Sequence, residues 1–506
     1  MANARERLGA SVALAAFLLA IIFEGCGKDQ NGSSGFPGGE PSPPVEDGAT
    51  GGAADDSPSI SFSDSSISLV LDGDTTERTP PPAACKLPGL WCYQTTAPCI
   101  TSLSGTVYDP AGQVPLDDVV VYVPAVPTTP LPTITPGTNS CSACNTQISN
   151  YMALTLTDVN GHFTLTGVPA TTNVPVVVQI GKWRREISLS QVTKCEDNAV
   201  PSGILRLPRS KAEGDLPQMA VVTGGLDNLG CFLRGIGLDA SEYTAPQGGG
   251  RLDVYAGQGG PGLTSGGTAG ACATANPVCP LWTSKSALEY YDIVLLACEG
   301  GTYGQYKPAA SLQYMHDWLG EGGKVFATHF QYYWFQSGPT DFQNVADWLG
   351  FSLGTGTGNY TIDNTFQRGM LFEQWLDNIG AATGTTIALN SVADSVSTVS
   401  ADATRWIYDP TTNPNDTKYL SFLTPIGGVA NADGGEGTHY CGKAVFSDLH
   451  TSGMPSGTVP GTCSTTLTAQ QKALEFLFFD LAACVAPENM PMPVPTMNPP
   501  PPPPPM

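Results

Sequence analysis

Three stretches in the second half of the chain are apolar over nearly their full length and end in glycine or polar residues. They cover residues 219–225, 292–297 and 324–328. Strands with two apolar faces are typical of parallel sheets that have helices on both sides. Apolar residues at helical spacing lie between them, and a further helix is expected from Thr340 through Val345 and Leu349. A capping box at Thr468 and Gln471 opens a last helix. The pattern therefore predicts a doubly wound, flavodoxin-like α/β unit over residues 217–485.

Apolar residues alternate with polar ones over residues 100–208, where short strands end in Gly, Asp and Pro turns. This pattern predicts an all-β sandwich. Its motifs GTVYDPAG (105–112) and TDVNGHFTLTGVP (157–169) resemble the carboxypeptidase regulatory-like domain, which is a transthyretin-like sandwich. The resemblance implies an accessory module rather than a peptidase. The neighbouring turn at Gly161 favours a surface position for His162 over a role as a ligand.

The first residues resemble a bacterial lipoprotein signal. Arg5 and Arg7 precede an apolar run over residues 8–23, which is followed by Gly25 and Cys26. We expect a signal peptide over residues 1–25 and a lipid on Cys26, which would tether the protein to a membrane of the cell envelope. Glu24 departs from the small residue of such signals. Ordinary cleavage or an uncleaved anchor therefore stays open.

Composition predicts two extended segments. Gly (58) and Pro (44) are abundant, and residues 26–84 are rich in Gly, Ser, Pro and Asp, which predicts a disordered tether. Residues 85–99 form a Cys-rich segment, and residues 486–506 form a Pro-rich tail. The net charge of −23 argues against nucleic acid as a partner, because phosphate binding requires a basic surface.

Fourteen cysteines fit an exported protein with disulfide bonds. Once Cys26 is assigned to lipid, an odd number remains, which predicts a free thiol or an intermolecular bond. Cys141 and Cys144 have CxxC spacing, for which we favour a loop disulfide over a zinc or redox site. The other predicted disulfide cysteines are Cys85, Cys92, Cys99, Cys195, Cys272, Cys279, Cys441, Cys463 and Cys484.

Polar residues follow the predicted parallel strands at their carboxyl ends, where open α/β sheets bind ligands. They are Thr223, Gly224, Gly225 and Asp227 after the first strand, Cys298, Glu299, Gly300 and Gly301 after the second, His329, Gln331 and Tyr332 after the third, and Asp448 and His450 after a later one. Requirements of the core do not explain titratable side chains at these places. They are therefore our candidate site residues.

The same segments resemble the ThuA-like branch of the class I glutamine amidotransferase-like fold. The resemblance rests on VVTGG (221–225), YDIVLLACEGG (291–301), EGGKVFATHFQYYWF (321–335), DWLGF (347–351) and CGKAVFSDLHTSG (441–453). It implies that two strands end near the functional histidines, which are His329 and His450 here. True amidotransferases carry a Cys where His329 stands, so we do not expect glutamine hydrolysis.

Three functions follow as hypotheses. The leading one is an exported protein that binds a small polar ligand, with carbohydrate the favoured class, because aromatic residues follow His329. The second is a hydrolase in which His329 and His450, with Glu299 and Asp448, act as acid and base or hold a divalent metal, the one cofactor considered. In it, Cys298 is a nucleophile or, as we favour, a buried or disulfide-bonded cysteine. The third is a catalytically inactive cell-surface interaction protein. For Thr223–Gly225 a phosphate cradle is a further alternative.

Overall fold

The computed structural model describes residues 89–95, 99–126, 130–137, 141, 148, 150–350, 356–412, 414–430, 438–451 and 457–491. All of them belong to one compact unit. The predicted signal peptide, the lipidation site Cys26, the tether and residues 492–506 of the tail lie outside the described residues. Among those residues, no helix is both long and apolar enough to cross a membrane.

Residues 102–199 form seven strands in two sheets. Their sheet orders are β4–β1–β7 and β3–β2–β5–β6, and every pair except β1–β7 is antiparallel. Alternate residues such as Leu103, Val121, Leu165 and Val176 share one buried core. Seven strands in two sheets with a common core agree with the sheet-rich organisation predicted for this part. The strands are β1 (Ser102–Thr106), β2 (Val120–Pro124), β3 (Tyr151–Leu156), β4 (His162–Thr166), β5 (Thr172–Ile180), β6 (Trp183–Gln191) and β7 (Asp197–Ala199).

Residues 219–482 hold the remaining strands and the α-helices. The strands are β8 (Met219–Thr223), β9 (Tyr243–Thr244), β10 (Leu252–Ala256), β11 (Gly270–Ala271), β12 (Ile293–Leu296), β13 (Lys324–Thr328), β14 (Ala346–Trp348), β15 (Gly356–Ile362), β16 (Thr386–Val392), β17 (Val396–Val399), β18 (Ala403–Tyr408), β19 (Thr417–Thr424), β20 (Val429–Ala430), β21 (Thr438–His439) and β22 (Gly442–Ser447). The α-helices are α1 (Leu229–Gly235), α2 (Lys285–Leu288), α3 (Ala309–Gly320), α4 (Tyr333–Gln336), α5 (Thr340–Gln343), α6 (Gln367–Asn378) and α7 (Ala469–Ala482), and a short 3₁₀-helix covers His329–Tyr332.

Five long strands of this part are parallel neighbours in the order β10–β8–β12–β13–β22. Counted along the chain, this order is 2-1-3-4-5, as in flavodoxin-like sheets. Beyond β22 the sheet continues through the antiparallel strands β19, β18, β15 and β16. The three apolar stretches of the sequence fall on β8, β12 and β13, which agrees with the sheet-rich organisation that was predicted. Neither β10 nor the antiparallel extension was predicted.

Both faces of the parallel strands are buried, as their apolar sequences require. Along β8, Met219 and Val221 pack in the same cluster as residues of α1 and α7. Ala220 and Val222 point the other way, into a cluster that contains residues of α3. Successive side chains of a strand point to opposite faces, so continuous apolar sequence is the consequence of helices on both sides.

The sandwich packs directly against the α7 side of the sheet. The rings of Trp183 and Phe479 meet edge to face with centroids 6.0 Å apart. Arg368 Nη1 lies 2.7 Å from Asp118 Oδ2, and Trp375 Nε1 donates a 2.7 Å hydrogen bond to the carbonyl oxygen of Pro115. The sandwich and the α/β part therefore share one core across the expected boundary between residues 208 and 217.

The helix expected from Thr340 through Leu349 is wrong beyond its first turn. It ends at Gln343, and Ala346–Trp348 pairs with β17 instead. By contrast, the capping box of the last helix is present as predicted at Thr468 and Gln471.

Disulfide bonds connect distant parts of the chain, as expected for an oxidising environment. Cys141 bonds to Cys441, so the first cysteine of the CxxC motif is in a disulfide bond, with a partner that the sequence left open. Cys231 was not among the predicted disulfide cysteines. Further disulfide bonds join Cys99 to Cys195, Cys231 to Cys463 and Cys272 to Cys279, and Cys92 and Cys484 are also disulfide-bonded.

Candidate functional site

The candidate site lies beyond the carboxyl ends of β12, β13 and β22. Cys298 follows β12 by two residues, His329 follows β13 directly, and His450 comes three residues after β22. Because these strands are parallel neighbours, their carboxyl ends lie side by side. Three residues that are far apart in sequence therefore meet at one edge of the sheet.

The three side chains converge closely. His329 Nδ1 lies 3.3 Å from Cys298 Sγ and 3.2 Å from His450 Nε2. One potential ligand atom from each residue lies within 4.8 Å of the other two. Cys298, His329 and His450 are 0%, 2% and 6% exposed, respectively. We call these three residues the Cys-His-His cluster.

The backbone at His329 is in a conformation that few residues other than glycine adopt. Its φ is +41°, at the turn where β13 passes into the 3₁₀-helix His329–Tyr332. Such a conformation costs of order 1–3 kcal/mol and is often found at functional sites. Thr328 fixes the same turn, because its Oγ1 accepts a 2.9 Å hydrogen bond from the backbone N–H of Cys298.

The ring of His450 is oriented by the backbone. Its Nδ1 lies 2.7 Å from the carbonyl oxygen of Ser391. A carbonyl oxygen only accepts, so Nδ1 carries the proton and Nε2 of the neutral ring presents a lone pair. That lone pair faces His329. Ser391 itself has a φ of +53°, and no pattern in the sequence indicates that its carbonyl group orients His450.

Cys298 is the free cysteine among the described residues. Burial raises the pKa of its thiol to about 12, against hydrogen bonds from the backbone N–H groups of Phe330 and Gly300 that lower the pKa. With this pKa the group is a neutral thiol at pH 7. This agrees with the prediction of a buried Cys298.

Glu299 does not join the cluster. Its Oε2 lies 2.7 Å from Lys307 Nζ in a fully buried ion pair, and its Oε1 accepts from the backbone N–H of Gln258 at 2.8 Å. Gln331 Nε2 donates to the same carboxylate at 3.0 Å. In turn, Gln331 Oε1 accepts from the indole N–H of Trp334. Glu299 and Gln331 therefore connect loops through these contacts, and they do not act as partners of His329.

Asp448 and Asp227 also bond to other groups. Asp448 Oδ2 accepts from the backbone N–H of Ser395 at 2.7 Å, and burial raises the pKa of Asp448 to about 6. Asp227 Oδ1 accepts from the backbone N–H groups of Asn228 and Thr451, each at 2.8 Å. Asp227 thus connects the loop after β8 to the residue that follows His450, which gives it a positioning role.

The two glycines after β8 lie in close contact with the backbone of neighbouring loops. A β-carbon on Gly224 would lie 2.1 Å from the carbonyl oxygen of Cys298. The N–H of Gly225 donates to the carbonyl oxygen of Gln258 at 3.0 Å, so this N–H is not directed at a phosphate. Thr223 Oγ1 donates to the carbonyl oxygens of Tyr255 and Pro261. The two glycines therefore allow neighbouring loops to approach each other closely.

The predicted aromatic surface after His329 is buried. Tyr332 is 2% exposed and stacks with Trp348 at a centroid distance of 6.4 Å. A different aromatic pair, which sequence reasoning missed, lies after β12. Tyr303 and Tyr306 are half-buried, and their rings stack with centroids 5.8 Å apart and planes 10° from parallel. The sequence signal for this aromatic pair is two tyrosines three residues apart that follow Gly300-Gly301.

A second group with metal-binding residue types comprises Cys141, His439 and Cys441. Its two cysteines are joined in a disulfide bond, which removes both thiolates as ligands. The Cys-His-His cluster has no such restriction.

Comparisons with known proteins add little. No protein-family model matches the chain, and no curated protein matches it. Among solved structures, a 9R-lipoxygenase from Cyanothece PCC8801 aligns with 22% of this chain and 19% of its own, at 10% identity and a TM-score of 0.10. An overlap this slight says nothing about fold or function.

Proposed function

We propose that this protein is an exported, lipid-anchored hydrolase with a ThuA-like α/β unit, whose catalytic centre is the Cys-His-His cluster. The convergence of Cys298, His329 and His450 within hydrogen-bond distance carries the proposal. Packing of an apolar core does not require these side chains at three neighbouring strand ends. Thiol and imidazole groups are the nucleophiles, general acids and bases, and metal ligands of hydrolytic sites.

The conformation of His329 supports the same proposal. A positive φ directly after a buried parallel strand holds a side chain at the edge where open α/β sheets bind ligands. Glutamine hydrolysis is not part of the proposal, because a His stands on this turn in place of a Cys.

For the substrate we propose a small polar molecule, with carbohydrate as the favoured class. Tyr303 and Tyr306 supply stacked, half-buried rings in the loop that starts at Cys298. Aromatic faces beside polar groups suit the apolar faces of sugar rings. This pair replaces Tyr332 as the proposed sugar contact, because Tyr332 is buried.

Export is supported by two independent observations. The N-terminal sequence resembles a lipoprotein signal with Cys26 at its end. The described residues also contain disulfide bonds between distant cysteines, which persist in oxidising compartments. Lipid at Cys26 would place the catalytic unit at the surface of a membrane.

The test is hydrolysis of nitrophenyl glycosides, nitrophenyl acetate and nitrophenyl phosphate by the full mature chain. We expect turnover of at least one substrate, and losses of at least about 100-fold in kcat/KM for His329→Ala and His450→Ala. The matched control is His162→Ala, which removes an exposed histidine on β4 and should leave the rate unchanged. Wild-type protein that binds sugars without turnover, or variants that keep full activity, would overturn the hydrolase.

A further inference from the structure

We propose that Cys298, His329 and His450 are three protein ligands of one transition-metal ion, with zinc as the expected metal. The ion's part in catalysis rests on the proposed function, whereas its binding stands on the geometry of the cluster alone.

The contacts of His329 converge on one ring nitrogen. Nδ1 of His329 lies 3.3 Å from Cys298 Sγ and 3.2 Å from His450 Nε2. One potential ligand atom from each of the three residues lies within 4.8 Å of the other two. Three ligand atoms at such separations can surround one metal ion.

These separations match the edges of a coordination polyhedron. Zinc lies about 2.0–2.1 Å from imidazole nitrogen and about 2.3 Å from thiolate sulfur, so tetrahedral angles put such ligand atoms about 3.3–3.6 Å apart. Two edges of the cluster measure 3.2 and 3.3 Å. A small movement of the side chains would admit the ion.

The groups behind the ligands are arranged as they are around metal sites. His450 Nδ1 donates to the carbonyl oxygen of Ser391 at 2.7 Å. A ligating histidine usually donates its other ring N–H to a carbonyl or carboxylate, which orients the ring and fixes its tautomer. Cys298 Sγ receives hydrogen bonds from the backbone N–H groups of Phe330 and Gly300, an arrangement that supports a charged sulfur.

The ligand types select the metal. One thiolate and two imidazoles suit zinc, and they do not suit magnesium or calcium, which prefer oxygen ligands. The carboxylates expected as metal ligands from the sequence, Glu299 and Asp448, bond to Lys307 and to Ser395 instead. Three protein ligands leave a fourth position for water or substrate, which is the pattern of catalytic zinc sites. A bound ion would supply a hydroxide nucleophile near pH 7.

The experiment measures metal in the mature chain, purified without a polyhistidine tag. Elemental analysis should find about one zinc ion per chain in the wild type and in His162→Ala. Cys298→Ser, His329→Gln and His450→Gln should each bind zinc at least about 100-fold more weakly, because each removes one of three ligands. Circular dichroism of each variant checks that it is folded.

A second readout needs no variant. Wild-type protein depleted of metal and loaded with Co²⁺ should show a near-ultraviolet thiolate-to-cobalt band and the visible bands of a tetrahedral ion. The proposal is overturned if the depleted wild type binds neither Zn²⁺ nor Co²⁺ at micromolar concentrations, or if copper occupies the site as purified. Loss of hydrolysis in His329→Ala without any bound metal would overturn this inference and leave the proposed function. One bound zinc ion per chain without hydrolysis would support this inference and overturn the proposed function.

Discussion

The carbonyl oxygen of Cys298 lies 2.1 Å from the position that a β-carbon on Gly224 would occupy. Real β-carbons do not approach an oxygen so closely, so glycine is required where the loop after β8 crosses the end of β12. The backbone N–H of Leu226 donates to the same carbonyl oxygen at 3.0 Å. Gly224 therefore allows the loop after β8 to lie directly against the backbone of Cys298.

We predict that Gly224→Ala displaces Cys298 from His329 and weakens zinc binding by about 10- to 100-fold, the effect typical of groups behind metal ligands. Calorimetric titration of the metal-depleted protein measures this. Gly262→Ala is the matched control, since a β-carbon there meets nothing within 4 Å. Equal zinc affinity in both variants would show that Gly224 does not position Cys298.

A buried pair of carboxyl groups predicts how stability depends on pH. Asp109 lies in the sandwich part and Glu475 on α7; both are fully buried, and their carboxyl groups face each other. Burial raises the pKa of Asp109 to about 6. Burial and the neighbouring carboxyl group of Asp109 raise the pKa of Glu475 well above its usual range, whereas the nearby cation Lys472 lowers it.

The folded state therefore holds protons that the unfolded chain releases at lower pH. Stability should fall as the pH rises from about 4 through 6 and beyond, by on the order of 1–3 kcal/mol. Glu475→Gln mimics the protonated acid and should flatten this slope. Urea unfolding at pH 5 and pH 8 measures both proteins, and an unchanged slope in the variant would contradict this assignment.

The ion pairs of Arg368 predict a large loss of stability when this side chain is removed. Arg368 is buried, and its guanidinium contacts Asp118 of the sandwich part at 2.7 Å and Asp480 of α7 at 2.6 Å. Arg368→Ala leaves these carboxylates without their shared partner, so we expect a loss of about 3–5 kcal/mol in the free energy of unfolding.

The control is Arg405→Ala. Arg405 pairs with Asp363 at 2.7 Å, but its side chain is 30% exposed, and we expect a loss of about 1 kcal/mol or less. Urea unfolding compares the two variants. Similar losses would mean that Arg368 does not hold the sandwich against α7.

Two disulfide bonds should differ in their effects because they close loops of different lengths. Cys231–Cys463 spans 232 residues, whereas Cys272–Cys279 spans seven. Loss of loop-closure entropy in the unfolded chain makes the long bond more stabilising by about 3 kcal/mol in the chain-entropy account. Unfolding of the double variants Cys231→Ser/Cys463→Ser and Cys272→Ser/Cys279→Ser measures how much free energy of unfolding each loses. A larger loss in the second double variant would contradict this prediction and show that native packing dominates.

The sequence predicts the parallel strands well because their burial demands continuous apolar residues. Residues 324–328 are the clearest case, since the predicted and observed strands coincide. The antiparallel strands β15 to β19 escaped prediction because Thr and Ser interrupt the continuous apolar runs by which the parallel strands were recognised. The helix expected after Gln343 failed because Trp348 contributes to the core by pairing with β17.

The candidate site was predicted in part. Strand ends identified His329, His450 and Cys298, because position in a parallel sheet determines which residues meet. The same reasoning could not separate these residues from Glu299 and Asp448, which follow the same strands. What separates them is the local partner, Lys307 in one case and Ser395 in the other, and no pattern in the sequence shows these contacts.

X-ray absorption at the zinc edge of the metal-loaded mature protein tests most directly whether the three strand ends form one centre. We predict one sulfur at about 2.3 Å and two imidazole nitrogens at about 2.0–2.1 Å, with one further light atom in the fourth position. The sulfur signal should vanish in Cys298→Ser. A first shell of oxygen and nitrogen alone in the wild type would contradict the account.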